Sequence, residues 1–163
     1  MFSVDLTTLA AEVIKACKKK HLGLATAESC TGGLIAGCLT AVSGASDVLQ
    51  HGIVTYSNDA KTRLLGVPVD LLMANGAVSE DVSRAMAEGA LLADDIDISV
   101  SVTGIAGPGG GSAEKPVGLV HISVARTGYE TLHERHIFDG DRNDVRQQTI
   151  KAALKLLIKR IDD

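Results

Sequence analysis

Hydroxyl, thiol and carboxylate side chains meet two glycines in one stretch, Thr26-Ala-Glu-Ser-Cys-Thr-Gly-Gly33. The apolar residues before it predict a short buried strand at Leu22–Ala25, and the residues after it predict a helix at Leu34–Val42. A tight turn between strand and helix presents side chains beside the free N–H groups that begin the helix. Ser29 could therefore act as a nucleophile, with N–H groups of Thr31–Gly33 stabilising the negative charge that develops.

Two other interpretations of this turn stay open. Ser29 and Thr31 are residue types that commonly cap a helix N-terminus, and capping alone would explain their presence. Cys30 is a rival nucleophile beside Ser29. Since neighbouring side chains at a turn cannot both point at one carbonyl group, we predict that Cys30 packs beneath the turn.

A lysine near a second predicted strand end offers a base for Ser29. Val48–Tyr56 is predicted to be a strand and Ser57–Asp59 a turn that caps a short helix, with Lys61 in its first turn. An unperturbed lysine has a pKa near ~10.4, so only about one molecule in ~2,500 is neutral at pH 7. Neutrality there costs roughly 4 to 5 kcal/mol. Lys61 must therefore be buried or lie near other donors to act as a base; otherwise it is a surface charge or a phosphate ligand.

A glycine-rich loop, Thr103–Gly111, follows a third predicted strand at Ile96–Val102. Ligands of open α/β sheets bind at the carboxyl ends of strands, and exposed backbone N–H groups of glycines can surround a phosphate. The glycines in question are Gly104, Gly107, Gly109, Gly110 and Gly111. The loop contains neither GxxxxGK[ST] nor GxGxxG, so a connection without a ligand is the alternative.

Composition excludes several classes of protein. The chain has 163 residues, a net charge of -4 and no long basic run, which argues against nucleic acid as a partner. Three cysteines without a framework spacing predict reduced thiols and a cytoplasmic protein, and no apolar run is long enough to indicate a membrane partner. His133 and His136 are predicted to point to opposite faces of one strand, and His51 and His121 belong to two other strands. Neither HExxH nor CxxC is present, so no bound metal is expected.

Helices and strands alternate along the chain and end in one hairpin. Asp5 is predicted to cap the first helix, Ser79 to cap a helix at Val82–Ala93, and Thr127-Gly128 to form the hairpin turn. The acidic run Asp94–Asp97 is interpreted as a solvated connection, and Asp141–Ile161 as the last helix. The predicted fold is one domain, 1–163, a three-layer α/β/α sandwich on a mixed, mostly parallel sheet.

Several motifs together resemble the CinA C-terminal domain family. They are Thr26–Gly33, Tyr56-Ser-Asn58 with Lys61, Val78-Ser-Glu80, Thr103–Gly110 and Gly140-Asp-Arg142. The resemblance covers nearly the whole chain and implies an α/β/α sandwich. It also implies an amidohydrolase that converts nicotinamide mononucleotide to nicotinate mononucleotide and ammonia, with no metal or cofactor. Longer members carry an additional N-terminal domain, so the chain resembles the stand-alone form, and its size leads us to expect a homodimer.

The same resemblance implies roles for individual residues. Ser29 is the expected nucleophile, Lys61 its general base, and Tyr56 a helper in proton transfer or orientation. The expected substrate-binding residues are Thr31, Gly32, Gly33, Asn58, Thr103, Gly104, Gly107, Gly109, Gly110 and Arg142. Two alternatives stay open: a nucleotide- or phosphate-binding module without catalysis, and a Ser-Lys amidase that acts on another small amide.

Overall fold

The computed structural model describes residues 1–92 and 95–163. Within these residues the chain forms six α-helices, one short 3-10 helix and a five-stranded sheet. In chain order they are α1 (Val4–Lys20), β1 (Leu24–Glu28), α2 (Leu34–Thr40), the 3-10 helix (Ala45–Asp47), β2 (Leu49–Val54), α3 (Asn58–Leu65), α4 (Val69–Asn75), α5 (Glu80–Ala90), β3 (Ile98–Gly104), β4 (Leu119–Arg126), β5 (Leu132–Ile137) and α6 (Arg142–Asp162).

The sheet has the strand order β2-β1-β3-β4-β5. β1 pairs in parallel with β2 and β3, whereas β4 runs antiparallel to both β3 and β5. The predicted hairpin therefore exists, with its turn at Thr127 and Gly128, and it makes the sheet mixed. Four of the five strands point in one direction, which confirms the predicted fold class.

Helices cover both faces of the sheet. α1, α2 and α6 pack together on one face, and α3, α4 and α5 pack on the other. The central strands β1 and β3 are buried along almost their whole length. Alanine, valine, leucine and isoleucine dominate both cores, and each fully buried large aliphatic side chain contributes about 1.5 to 3 kcal/mol. The three-layer sandwich is thus stabilised from both sides.

Several element ends differ from the sequence-based predictions. Asp5 does not cap α1, because Ser3 accepts the N–H of Leu6, and Asp5 lies in the first turn. β1 extends to Glu28, beyond the predicted Ala25, because hydrogen bonds within the fold satisfy its buried polar side chains.

Ser79 caps α5, as predicted. α5 ends at Ala90, before the predicted end at Ala93. Ala93 itself and Asp94, the first residue of the predicted acidic connection, lie outside the described residues. Asp141 caps α6 in a capping box, close to the predicted start of that helix.

The topology brings three connections to one edge of the sheet. β1, β2 and β3 are neighbours and point the same way, so the segments that follow them emerge side by side. These segments are the turn 29–33, the residues 55–57 and the loop 105–118. No helix in the described residues combines the length and the apolar character needed to cross a membrane.

Candidate active site

Ser29 and Lys61 meet at the edge where β1 and β2 end. Ser29 follows β1 directly, and its N–H donates to the carbonyl of Val102, which fixes the turn against β3. Ser57 caps α3, so Lys61 lies one turn into that helix, as the sequence predicted. The Lys61 Nζ atom is 3.1 Å from Ser29 Oγ and donates to the carbonyl oxygen of Thr55 at 2.8 Å.

Burial changes the acidity of Lys61. Its side chain is only 1% exposed, and desolvation lowers the pKa of its ammonium group from the usual 10.5. Nearby Cys30 acts in the opposite direction on that pKa. No carboxylate of the described residues lies within 4 Å of the lysine nitrogen to stabilise its positive charge. The condition that the sequence set for a lysine base, burial, is therefore met.

A buried carboxylate organises the turn that carries Ser29. Glu28 has no solvent exposure, and its Oε2 atom accepts the Thr31 hydroxyl at 2.5 Å. It also caps α2 by accepting the N–H groups of Gly33, Ile35 and Ala36. Neither Ser29 nor Thr31 makes a capping bond to α2, so the interpretation of these two residues as N-caps is wrong.

The N–H groups that could hold an oxyanion differ from those predicted. Two of the three predicted donors are occupied: Gly33 donates to Glu28, and Gly32 donates to the carbonyl of Ser29 at 3.0 Å. Within the described chain, the N–H groups of Cys30 and Thr31 form no hydrogen bond. A donor that directly follows the nucleophile is the usual position for stabilising an acyl-transfer intermediate, so Cys30 is the stronger candidate.

The glycine-rich loop offers a set of unused donors near this edge. Among the described residues, the N–H groups of Gly107, Gly109, Gly110 and Gly111 form no hydrogen bond. Gly109 has open space on its side-chain position, whereas Gly107 and Gly110 have positive φ angles. Such a loop can approach an anion closely with backbone N–H groups.

Arg142 connects this loop to the segment after β2. One guanidinium nitrogen donates to the Gly107 carbonyl at 2.8 Å, and another donates to the Tyr56 hydroxyl at 2.7 Å. Arg142 is the first residue of α6, so the last helix reaches the same edge as Ser29. A nucleophile, a buried amine and a basic, N–H-rich rim therefore occupy one region of the surface.

Comparison with known proteins identifies the family. The family model described as the CinA C-terminal domain matches residues 6–161. The chain belongs to the CinA C-terminal domain family. It is 50% identical to a putative competence-damage inducible protein of Caldicellulosiruptor bescii, over 100% of this chain and 39% of that protein. It is 56% identical to a CinA-like protein of Anaeromyxobacter dehalogenans, over 82% of this chain and 33% of that protein.

Solved structures of CinA-family proteins have the same fold. A competence/damage inducible protein of Agrobacterium tumefaciens is 46% identical, with a TM-score of 0.96 over 100% of this chain and 99% of that chain. A competence damage-inducible protein from Klebsiella pneumoniae is 35% identical, with a TM-score of 0.92 over 96% and 97%. The chain spans only about two fifths of the length of the curated relatives that it matches.

The CinA fold brings some of the predicted substrate-binding residues to the edge near Ser29, whereas others make contacts within the fold. Thr103 is buried and donates to the Ala77 carbonyl, and Gly104 pairs with Val120 inside the sheet. Asn58 lines a shallow groove with side chains of α3 and α4. The Thr31 hydroxyl is engaged by Glu28. Thr31, Thr103 and Gly104 therefore have partners within the fold, whereas Gly107, Gly109, Gly110 and Arg142 lie at the edge of the sheet where Ser29 is found.

Tyr56 contacts neither of the two residues that it was expected to assist. Its side chain is 62% exposed, and its hydroxyl accepts from Arg142. In the described structure this hydroxyl forms no hydrogen bond with Ser29 or Lys61. The geometry thus connects Tyr56 to the arginine at the rim.

Sequence reasoning missed Arg146. Its guanidinium donates to the Thr31 carbonyl at 3.0 Å, so it contacts the nucleophile turn itself. The available signal was its spacing of four from Arg142, which places both on one face of α6. It also missed a contact between His121 Nδ1 and His133 Nε2, 2.9 Å apart across β4 and β5, although no group of three metal-binding side chains is found among the described residues.

The three thiols of this CinA domain are buried. Cys17 and Cys38 lie in the core, as predicted. Cys30 is 6% exposed, and burial raises the pKa of its thiol to about 11. Cys30 therefore packs beneath the turn, and a protonated, buried thiol of this kind is a poor nucleophile.

Proposed function

We propose that this protein is an amidohydrolase that converts nicotinamide mononucleotide and water to nicotinate mononucleotide and ammonia. One observation supports this proposal above the others: the buried amine of Lys61 lies 3.1 Å from Ser29 Oγ without a neighbouring carboxylate in the described chain. A lysine in this environment is easier to deprotonate, and a neutral amine can accept a serine proton. The choice of substrate is supported by the resemblance of the motifs to the CinA C-terminal domain family.

In the first half of the reaction, Ser29 Oγ attacks the carboxamide carbon while its proton moves to Lys61 Nζ. The carbonyl oxygen becomes negative and is stabilised by N–H groups of Cys30 and Thr31. The C–N bond then breaks, Lys61 returns the proton to the departing nitrogen, and ammonia leaves. Ser29 retains the nicotinoyl group as an ester.

In the second half, water replaces ammonia. Lys61 accepts a proton from the water as its oxygen attacks the ester carbon, and the proton then returns to Ser29 Oγ. The product leaves as the carboxylic acid, which gives its proton to solvent or to the released ammonia, and the amine is neutral again, so one water is consumed for each ammonia released. The Thr55 carbonyl, which accepts from Lys61, keeps the amine oriented through both halves.

The phosphate end of the substrate would lie against the glycine-rich loop and Arg142. Unused N–H groups and a guanidinium provide hydrogen-bond donors suited to a phosphate. Arg142 would exchange its bonds to Gly107 and Tyr56 for phosphate oxygens. Binding at this distant group would hold the amide in register with Ser29.

Ammonia release from nicotinamide mononucleotide tests the proposal. Wild type, Ser29→Ala and Lys61→Met are compared, with Lys155→Met on the exposed side of α6 as the matched control. We expect turnover by wild type and control, and a loss of about 10³-fold or more in the two site variants. Free nicotinamide, which lacks the phosphate, should be a much poorer substrate.

Other results would redirect the assignment. Equal turnover of free nicotinamide would favour an amidase for another small amide. Saturable nucleotide binding by folded wild type without ammonia release would favour the non-catalytic binding module. The proposal also includes a cytoplasmic location and a homodimer. Light scattering of the purified protein would test the homodimer by its mass.

A further inference from the structure

Arg146 has donors that the fold does not use. Its Nη2 atom donates to the Thr31 carbonyl at 3.0 Å, but its buried Nε atom makes no hydrogen bond within the described residues. In that part of the chain, no carboxylate lies within 4 Å of the guanidinium. Arg146 as a residue is half-buried, and its one hydrogen bond within the described chain is the contact with the turn that carries Ser29.

A chain of hydrogen bonds connects Arg146 to the predicted oxyanion site. The Thr31 carbonyl, which accepts from Arg146, belongs to the same peptide unit as the N–H of Gly32. That N–H donates to the Ser29 carbonyl at 3.0 Å. The Ser29 carbonyl in turn shares its peptide unit with the N–H of Cys30, which has no bond in the described chain. The path from the guanidinium to the free donor therefore runs through two peptide units, Thr31–Gly32 and Ser29–Cys30.

Each bond in such a chain strengthens the next one. When a peptide carbonyl accepts a hydrogen bond, the N–H of the same unit becomes a better donor, and the effect is larger in a poorly solvated environment. A charged guanidinium at the start polarises the chain more than a neutral donor would. The free N–H of Cys30 at its end is the group that benefits.

We propose that Arg146 is a positioning residue that fixes and polarises the 29–32 turn so that the Cys30 N–H stabilises the oxyanion formed on attack by Ser29. This inference rests on Ser29 as the nucleophile of the proposed function, but not on nicotinamide mononucleotide as its substrate. Arg146 acts through the backbone, whereas Arg142, one turn earlier, contacts the loop assigned to the phosphate.

A boronic acid separates this inference from the identity of the substrate. Pyridine-3-boronic acid has the ring of nicotinamide and an electrophilic boron in place of the amide carbon. Ser29 Oγ forms a bond to boron, its proton moves to Lys61, and the boron becomes a tetrahedral anion that resembles the intermediate. The ¹¹B NMR signal reports the tetrahedral adduct, and its titration gives a dissociation constant without any turnover.

The variants are Arg146→Gln, Arg146→Lys, Ser29→Ala and the α6 control Lys151→Gln. Loss of a direct oxyanion donor costs about 10²- to 10³-fold, so loss of its polarisation should weaken the adduct about 10- to 100-fold in Arg146→Gln. Arg146→Lys, which retains the charge, should recover part of this loss, and Lys151→Gln should match wild type. With nicotinamide mononucleotide, Arg146→Gln should lower kcat and change KM less than about 3-fold, whereas Arg142→Gln should raise KM.

The outcomes distinguish the two proposals. An adduct without turnover of the nucleotide would refute the substrate assignment and leave the role of Arg146 to be read from the adduct. Arg146→Gln with wild-type adduct affinity would overturn the inference, even if the enzyme proves active. So would a folded wild type that forms no adduct, or an Arg146→Gln defect confined to KM. Equal melting temperatures of the variants, measured by circular dichroism, establish that they are folded.

Discussion

Replacing the buried Glu28 by glutamine should destabilise the whole domain. The carboxylate accepts five hydrogen bonds: from the hydroxyls of Thr26 and Thr31 and from the N–H groups of Gly33, Ile35 and Ala36. Glutamine has nearly the same shape but only one accepting oxygen. If that oxygen keeps the three partners of Oε2, the amide NH₂ faces the Ala36 N–H, and two donors oppose each other.

The size of the effect follows from these contacts. An unpaired buried donor costs about 1 to 3 kcal/mol, and hydrogen bonds to a charged group contribute about 1 kcal/mol more than neutral ones. Easier desolvation of the neutral amide offsets part of this loss. We therefore expect Glu28→Gln to lower the free energy of unfolding by about 2 to 5 kcal/mol. With a urea m-value of about 2 kcal/mol/M, the midpoint should fall by about 1 to 2.5 M.

Urea unfolding followed by circular dichroism measures this shift. The matched control is Glu80→Gln on α5, whose side chain is 49% exposed and bonded to Arg84. An exposed pair of this kind contributes at most about 0.5 kcal/mol, so the control should unfold near the wild-type midpoint. A Glu28→Gln midpoint as close to wild type as the control would refute the assignment of Glu28 as the organiser of the turn.

Three further predictions follow from the buried ionisable groups. The free energy of unfolding of wild type relative to Lys61→Met should rise as pH increases toward 10.5, because the folded protein binds fewer protons at Lys61 than the unfolded chain. Urea titrations at pH 7, 8 and 9 measure this difference, and a difference that does not change with pH would contradict the prediction. The thiols should react slowly with a disulfide reagent at pH 8 until the protein unfolds, because all three are buried and the pKa values of Cys17 and Cys30 are raised to about 12 and about 11; rapid reaction of native protein would exclude this packing. Burial, together with nearby positive charges, lowers the pKa of His121 to about 4, so between pH 6.5 and 4 the folded protein binds fewer protons than the unfolded chain. As the pH is lowered through this range, the free energy of unfolding should fall by at most about 3 kcal/mol. His121→Gln should flatten that dependence in acid urea titrations, and an unchanged profile would argue against it.

The meeting of Ser29 and Lys61 was predictable in outline from the sequence. Each follows a predicted strand, and parallel neighbouring strands end at the same edge of a sheet. What the pattern could not give is the strand order, which makes β1 and β2 neighbours and decides the 3.1 Å approach. The burial of Lys61, on which its proposed role as a base depends, likewise follows from tertiary packing, because α3 packs against α5 and Lys61 donates to the Thr55 carbonyl.

Glu28 and Arg146 escaped prediction for a different reason. Glu28 lies in a strand although it is charged, because five donors from neighbouring segments compensate its burial, and local propensity does not register such partners. Arg146 is 115 residues from the carbonyl that it contacts. In the sequence it resembles any polar position of an amphipathic helix, and only the docking of α6 shows its partner.

The docking of α6 also sets an order of events during synthesis. β1, β2 and α3 emerge from the ribosome early and already carry Ser29 and Lys61. Arg142 and Arg146 belong to the last helix. The contact of Arg142 with Gly107 and the contact of Arg146 with Thr31 therefore cannot form until α6 has left the ribosome. A nascent chain would thus contain its serine and lysine before Arg146 could fix the turn that carries Ser29. The polarisation of the Cys30 N–H that we propose would therefore arise late, when α6 packs against the sheet.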